Sequence, residues 1–189
     1  MRALDLAFHD PALNLALDEV LLDSAERGVH GESLRFWESP NPFVVLGVSQ
    51  RVRDEVHEDA CQRDGIPILR RCSAGGCVLQ GPGSLNFTLV ISYDRDPDLR
   101  NIRASYCHIL CRVREALATR GVQVALEGIS DLALNGRKVS GNAQKRRKRF
   151  LLHHGSLLYR PDIEAMARYL REPHDRPAYR GTREHHAFV

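Results

Sequence analysis

SDLALNGRKVSGNAQ, residues 130–144, decides the fold. Its Asn135-Gly136 pair is the turn of a β-hairpin, and the residues after it continue as a strand. Gly136, Ser140, Gly141 and Ala143 permit close approach to the backbone that bulkier residues would block. Among them Lys138 offers a flexible point charge suited to a phosphate or a developing oxyanion.

Working outward, KRRKR (145–149) follows directly. Five consecutive basic residues cannot all be paired locally, so the run reads as a solvated hairpin tip between Gln144 and Leu151. HHGSLLY (153–159) then reads as a strand entered from a His-Gly corner, with one histidine pointing inward. A metal at His153 and His154 is the minor reading, because no cysteine or carboxylate lies beside them at a zinc-like spacing.

Upstream, RRCSAGGCVLQGPGSLNFTLVIS (70–92) places two arginines before a small-residue loop, Ser73 to Gly76, and then an apolar run. Guanidinium forks suit phosphate and carboxylate, so the pair suggests an anion. Gly81, Pro82 and Gly83 read as a hairpin turn. There is no GxxxxGK[ST], and therefore no Walker loop.

The remaining segments give an α/β order. Residues 11–27 form a helix with Leu13, Ala16, Leu17, Val20 and Leu21 on its apolar face, stopping at Gly28. LRFWE and FVVLG are strands around the turn SPNP. RDEVHEDACQRDG is helical and IPILRR extended. Residues 101–120 are a helix ending at Gly121, Val122 to Leu126 a short strand, and 161–171 a last helix. Trp37 is expected as a core anchor.

The 189 residues are 43% apolar and 27% charged, enough for one substantial core, and a single domain over 1–189 is expected. No apolar run reaches a membrane span and no secretion signal opens the chain. Five cysteines without a paired-spacing framework suit a reducing cytoplasm. Cys107 and Cys111, one helical turn apart, are expected in packing. Nucleic-acid binding is disfavoured: aromatics are 6% and the basicity is confined to one tip.

Five segments in order, NLALDE (14–19), RFWESPNPFVVLGVSQ (35–50), RRCSAGG (70–76), SDLALNGRKVSGNAQ (130–144) and HHGSLL (153–158), resemble the lipoate-protein ligase and octanoyltransferase branch of the biotin/lipoate protein ligases. The resemblance implies an α/β (α+β) catalytic domain with a mixed, largely antiparallel sheet and packed helices. It implies ATP-dependent activation of lipoate, or a related medium-chain acid, to an acyl-adenylate. The acyl group would pass to a lysine of a lipoyl carrier domain, in a dehydrogenase E2 subunit or a glycine cleavage H-type protein. Lys138 would bind the acyl carbonyl and the adenylate phosphate. Arg71, Ser73, Gly75 and Gly76 would form the ligand loop. Leu15, Ser140, Gly141, Ala143, His154 and Gly155 would line or close the acyl pocket, and Asp131 would help hold the Mg2+ of Mg-ATP. No membrane or nucleic-acid partner is implied, and three arrangements stay open for the accessory adenylation domain of two-domain ligases: a separate polypeptide, a subtype that works without it, or transfer without activation. A basic tip near the lysine would steer an acidic carrier domain.

Two departures from the family pattern stand out. Gln80-Gly81 occupies the place of a His-Asp pair, and Ala74 replaces the middle glycine of a triple, which matters if that position demands positive φ. Octanoyl transfer from acyl carrier protein is the alternative activity, and a non-catalytic acyl-binding relative a further one. Octanoyltransferases work through a cysteine thioester. No cysteine follows Cys111 and VQVALEGISDLAL has none; Cys72 and Cys77 flank the ligand loop and could reach the pocket. The ligase reading leads.

Overall fold

A computed structural model describes residues 1–173 and 176–189. In chain order the elements are β1 (Arg2–Asp5), α1 (Pro11–Glu26), β2 (Ser33–Trp37), β3 (Phe43–Leu46), α2 (Val52–Glu55), α3 (Glu58–Asp64), β4 (Ile68–Arg70), β5 (Val78–Gln80) and β6 (Ser84–Ser92). There follow α4 (Ile102–Ala118), β7 (Ala125–Glu127), β8 (Asp131–Leu134), β9 (Arg137–Arg146), β10 (Phe150–Leu158), α5 (Ile163–Tyr169) and α6 (His185–Phe188). Seven strands form one sheet in the order β1-β2-β6-β10-β9-β8-β7, and β4-β3-β5 form a second. Among the described residues only β1 with β2 and β3 with β4 run parallel. This is the expected α/β class with a mixed, largely antiparallel sheet.

Strand alternation sends neighbouring side chains to opposite faces of the large sheet. Val90 and Leu152 meet Leu22 and Ala25 of α1 on one face, while Ile91 and Leu151 meet Leu99 and Ile109 on the other. Leu22, Val90, Leu151 and Leu152 are fully buried, each stabilising the fold by about 1.5–3 kcal/mol.

The β8–β9 hairpin forms as expected, with Asn135 at φ 51° and Gly136 at φ 77°, the conformation an Asn-Gly turn supplies. Leu132 pairs with Ser140 but Ala133 with Lys138, so Val139 is the extra residue of a β-bulge. In a regular strand, residues 138 and 141 would project from opposite faces. The bulge puts Lys138 on the same side as Gly141.

Several expectations need correction. On α1, Leu13 and Val20 are 51% and 53% exposed, and the buried residues are Asn14, Asp18, Leu22, Ser24 and Ala25. The cause is Arg35, wholly buried on β2, whose guanidinium donates to Asp18 Oδ1 (2.8 Å), Asn14 O (2.9 Å) and Asn14 Oδ1 (2.5 Å). A buried charge needs these partners more than the helix needs Leu13 and Val20 inside.

The helix expected over 53–65 is two helices, α2 and α3, interrupted where Val56 bridges Leu170. Gly81 to Gly83 is a crossing between the two sheets rather than a hairpin turn: β5 pairs with β3, whereas β6 pairs with β2 and β10. There is no corner at His154-Gly155, since β10 runs straight through both. The basic run turns at a hairpin tip between β9 and β10, as expected, and residues 147–149 are exposed, but its arginines are not without partners. Arg147 pairs with Asp23 (2.9 Å), the Arg149 backbone donates to Glu26, and the Arg146 guanidinium lies 5.0 Å from the Tyr93 ring centre. Cys107 is exposed and joins no core.

Candidate active site

Between the small sheet, the loop after β4 and the α1-bearing face of the large sheet lies a cavity of about 190 Å³. Its loop wall is built by glycine and arginine together. Gly47 follows β3, and a Cβ there would fall 2.2 Å from Gly75 O, so only glycine lets the two backbones touch. Val48 N donates to Ser73 O (2.9 Å) and Arg71 N to Leu46 O (3.0 Å). The Arg71 guanidinium then closes the turn, donating to Ser73 Oγ (3.0 Å), Ala74 O and Gly76 O (both 2.9 Å). Arg70 likewise donates to Gly47 O (2.6 Å) and Gln50 O (2.8 Å). The arginine pair expected to meet an anion is thus engaged in holding backbone, although Arg71 still lines the cavity. Asn135 is the only non-glycine with positive φ among the described residues. Ala74 therefore meets no such demand, and Gly75 carries the left-handed turn at φ 102°.

On the opposite wall Lys138 folds over Gly141. A Cβ at 141 would sit 2.9 Å from Lys138 Cε and 3.0 Å from Nζ. The ammonium donates to Asp131 Oδ1 at 2.9 Å. Tyr179 donates to the other oxygen, Oδ2, at 2.7 Å. Burial, and then the hydrogen bond to Asp131, raise the Tyr179 phenol far above its ordinary range, so it stays a donor. Both oxygens of the expected metal-binding carboxylate are thus already in use. Among the described residues the one group of three potential metal ligands is Asp96, Asp98 and His108, which does not include Asp131, His153 or His154.

His154 joins the loop to the helix. Its Nε2 lies 2.6 Å from Ser73 Oγ and its Nδ1 3.4 Å from Asp18 Oδ2. Asp18 Oδ2 can only accept, which places an imidazole proton on Nδ1; in the neutral ring Nε2 then accepts the Ser73 hydroxyl, whose oxygen accepts in turn from Arg71. Asp18 also accepts from Thr88 (2.8 Å) and from Arg35. A Ser–His–Asp chain results, but Ser73 is completely buried and does not line the cavity, so it orders the loop instead of presenting a nucleophile.

His153 faces the other side. It is fully buried between the Phe87 and Tyr106 rings, with Nδ1 3.2 Å from Gln144 Nε2 and Nε2 3.2 Å from Asn142 Oδ1. Burial pushes its pKa down to about 3, consistent with a neutral ring that accepts at Nδ1 and donates at Nε2.

Leu15, Trp37, Val45, Val78 and Phe87 supply apolar wall. Trp37 is 4% exposed and also packs on Phe43, as a core anchor should. Trp37 Nε1 and Gln80 Oε1, both on cavity-lining residues, are buried without a hydrogen-bond partner among the described residues. Each costs on the order of 1–3 kcal/mol unless something meets it. Cys77 also lines the cavity, and burial pushes its thiol up to about 12 and that of Cys72 up to about 11.

Of the residues expected from sequence, Leu15, Arg71, Gly75, Gly76, Asp131, Lys138, Gly141, Ala143, His154 and Gly155 come together around this cavity. Ser73 and Ser140 do not reach it. Ser140 is fully buried and receives the Asn142 amide at 3.1 Å. Asp18, Phe87, Thr88 and Asn142 were missed. For Asp18 the signal was present in NLALDE, where Asn14 and Asp18, four apart, put two polar groups on one helix face.

Residues 10–189 match the family described as Lipoyl protein ligase A/B catalytic domain. Lipoate-protein ligase LplJ of Bacillus subtilis is 29% identical over 92% of this chain and 50% of its own length. Octanoyltransferase LipM of Clostridioides difficile is 26% identical over 86% of this chain and 67% of its own. A bi-partite lipoate protein ligase of Thermoplasma acidophilum, described with its E2 lipoyl domain, superposes with a TM-score of 0.80 at 26% identity, over 91% of this chain and 66% of that one. A lipoate-protein ligase A bound with ATP gives 0.81 at 27% identity, over 91% and 72%. The chain spans about half the length of the curated lipoate-protein ligases it matches.

Proposed function

This chain belongs to the Lipoyl protein ligase A/B catalytic-domain family, and on that footing we propose that it activates lipoate, or a related medium-chain acid, with ATP and transfers the acyl group to a lysine of a lipoyl carrier domain. The observation that carries the reading is the Lys138 ammonium on the wall of a cavity that also has an apolar lining and a glycine loop.

In the first step a carboxylate oxygen of the acid attacks the α-phosphorus of ATP and pyrophosphate leaves. In the second the carrier amine attacks the acyl carbonyl, AMP leaves with the bonding electrons and the amine loses a proton. Lys138 supplies positive charge beside the acyl carbonyl and adenylate phosphate in both steps. The loop amides, ordered by Arg71 and by Ser73 through His154, offer donors at fixed positions. Leu15, Trp37, Val45 and Phe87 hold the acyl chain, and exclude water that would hydrolyse the anhydride.

A magnesium ion would neutralise phosphate charge when bound. With both Asp131 oxygens engaged, the residues fit an ion brought in by the triphosphate, with at most one carboxylate contact, as this cation commonly accepts. The carrier would be an E2 or H-type lipoyl domain. Five free cysteines suit the cytoplasm, and among the described residues no helix is long and apolar enough to cross a membrane.

Octanoyl transfer from acyl carrier protein is the second reading, favoured by the likeness to the Clostridioides octanoyltransferase. It needs a thiolate in the cavity, and Cys77 is poorly prepared to be one. The deciding experiment is acid-dependent exchange of pyrophosphate into ATP with lipoate, octanoate and biotin. Exchange with lipoate or octanoate supports the ligase. Acyl transfer from octanoyl carrier protein without ATP overturns it, and binding without either reaction identifies a non-catalytic relative.

A further inference from the structure

Residues Ala178 to Val189 close back over the β8–β9 hairpin, with hydrogen bonds donated from each side of the contact. Arg183 donates to Gly136 O at 2.7 Å. From the hairpin, Arg137 donates to Val189 O (3.0 Å) and His186 O (3.1 Å). Between these contacts lie two aromatic residues, Tyr179 and Phe188, with ring centres 5.2 Å apart. Phe188 is 3% exposed, and the Lys138 ammonium stands 6.0 Å from its ring centre.

A lysine stem has about 2 kcal/mol of rotamer entropy to lose, so one ammonium–carboxylate contact leaves it several solutions. The carboxylate can also rotate and offer either oxygen. Here that freedom is removed at both ends. Tyr179 occupies Oδ2 of Asp131, leaving Oδ1 as the oxygen that meets Lys138. The phenol cannot reverse its role, because a buried tyrosine facing a carboxylate keeps its proton. Phe188 supplies an aromatic face beside the ammonium, a weak attraction that also excludes bulky alternatives. The hairpin turn itself is immobilised by Arg183 and Arg137.

We propose that the C-terminal segment Ala178 to Val189 positions Lys138, with Tyr179 acting as a positioning residue through Asp131. The proposal rests on the reading of Lys138 as the residue that meets the acyl-adenylate, and it gives the tail a task in catalysis that its distance in sequence from the hairpin would not suggest. Tyr179 touches no reacting atom. It fixes which oxygen Lys138 leaves when a ligand phosphate or carbonyl competes for the ammonium.

The test uses Tyr179→Phe, which keeps the ring on Phe188 and removes only the hydroxyl. The chain has three lysines, Lys138, Lys145 and Lys148, so 15N-lysine labelling gives an ammonium spectrum simple enough to assign with Lys138→Arg. In the unaltered protein the Lys138 ammonium should give a resolved signal, protected from solvent exchange by its carboxylate. Tyr179→Phe should shift or broaden that signal, and should lower kcat for acid-dependent pyrophosphate exchange on the order of tenfold, the scale of one charge-assisted hydrogen bond spent on orientation. KM for ATP should change less, and the unfolding midpoint should stay close to the parent's. A Lys138 signal that is absent from the unaltered protein, or identical in Tyr179→Phe, overturns the proposal. Should Tyr179→Phe fail to fold, Asp131→Asn takes its place, and a Lys138 signal that survives that change overturns it equally. The spectrum is read without any substrate. Failure of the ligase reading would appear instead as no exchange by the parent protein, with the tyrosine effect on the ammonium intact.

Discussion

Ser73 Oγ lies 2.6 Å from His154 Nε2, a contact across 81 positions of sequence that ties the glycine loop to the central strand β10. The loop therefore does not owe its shape to glycine alone. Asp18 orients the imidazole, the imidazole receives the serine proton, and the serine oxygen accepts from the arginine that gathers the loop carbonyls.

Ser73→Ala should consequently cost about 1–3 kcal/mol, because Arg71 and His154 each lose a partner in a buried place. The larger effect should be on ligand affinity, with KM for ATP or the acid rising roughly tenfold as the loop loses its registration. Equilibrium urea unfolding and steady-state exchange kinetics measure the two effects separately. An unchanged KM would mean that Arg71 holds the loop without help.

Much of this framework was legible in the sequence, and the parts that were not share a cause. The Asn135-Gly136 hairpin, the helix ended by Gly121 and the clearing around Lys138 follow from local chemistry that no distant residue overrides. The rotation of α1 could not be read locally. It depends on Arg35, seventeen residues beyond Asp18, being buried and requiring a carboxylate. The crossing at Gly81 to Gly83 resembles a hairpin turn locally. It is recognised by pairings distant in sequence, β5 with β3 and β6 with β2 and β10, and Arg160 covers Gly83, with its carbonyl oxygen 1.9 Å from where a Cβ would lie. One signal within the sequence was overlooked. With three lysines among 27 basic residues, a chain that otherwise prefers arginine keeps a lysine at 138, where a compact charge on a flexible stem differs most from a planar fork.

His153 makes stability depend on pH with a definite sign. Its ring is neutral when buried, with a pKa pushed down to about 3 from an ordinary value near 6.5. Between those values the unfolded chain binds a proton that the folded one refuses. The contribution is complete above about pH 6.5 and is lost as pH falls toward 3, at up to about 1.4 kcal/mol per pH unit from this group. Urea unfolding at pH 7 and pH 5 should therefore differ by roughly 2 kcal/mol, and most of that difference should vanish in His153→Gln, whatever its own stability. A slope unaltered by the substitution would assign the acid sensitivity to other groups.

Two glycines on facing strands should separate stability from activity. A Cβ at Gly141 would meet the far end of Lys138, at 2.9 and 3.0 Å, and a flexible stem can swing aside. A Cβ at Gly155 would fall 1.9 Å from Asn142 Oδ1 and 3.0 Å from Phe87 Cζ, inside a packed layer. Gly141→Ala should keep stability within about 1 kcal/mol while lowering exchange about a hundredfold, the scale of displacing one preorganised charge. Gly155→Ala should instead destabilise by about 1–3 kcal/mol through overpacking. Thermal unfolding and exchange assays on the pair check both halves, and a Gly141→Ala protein of full activity would show that Lys138 need not lie where it does.

Cys77 distinguishes the two chemistries most directly. It is a cavity-lining thiol, as octanoyl transfer through a thioester requires, yet burial and the nearby Glu55 carboxylate push it up to about 12. At neutral pH the thiolate fraction is then several orders of magnitude below that of an ordinary cysteine, and neighbouring Arg71 only partly offsets the desolvation. Cys77→Ala should therefore leave ATP-dependent acylation within about twofold, since the adenylate route passes through no thiol. In the unaltered protein, iodoacetamide should modify exposed Cys107 long before Cys77, which mass spectrometry of the digested protein can follow over time. Loss of acyl transfer in Cys77→Ala, together with an acyl adduct on Cys77 in the parent protein, would reverse the assignment and make this chain a thioester-forming transferase.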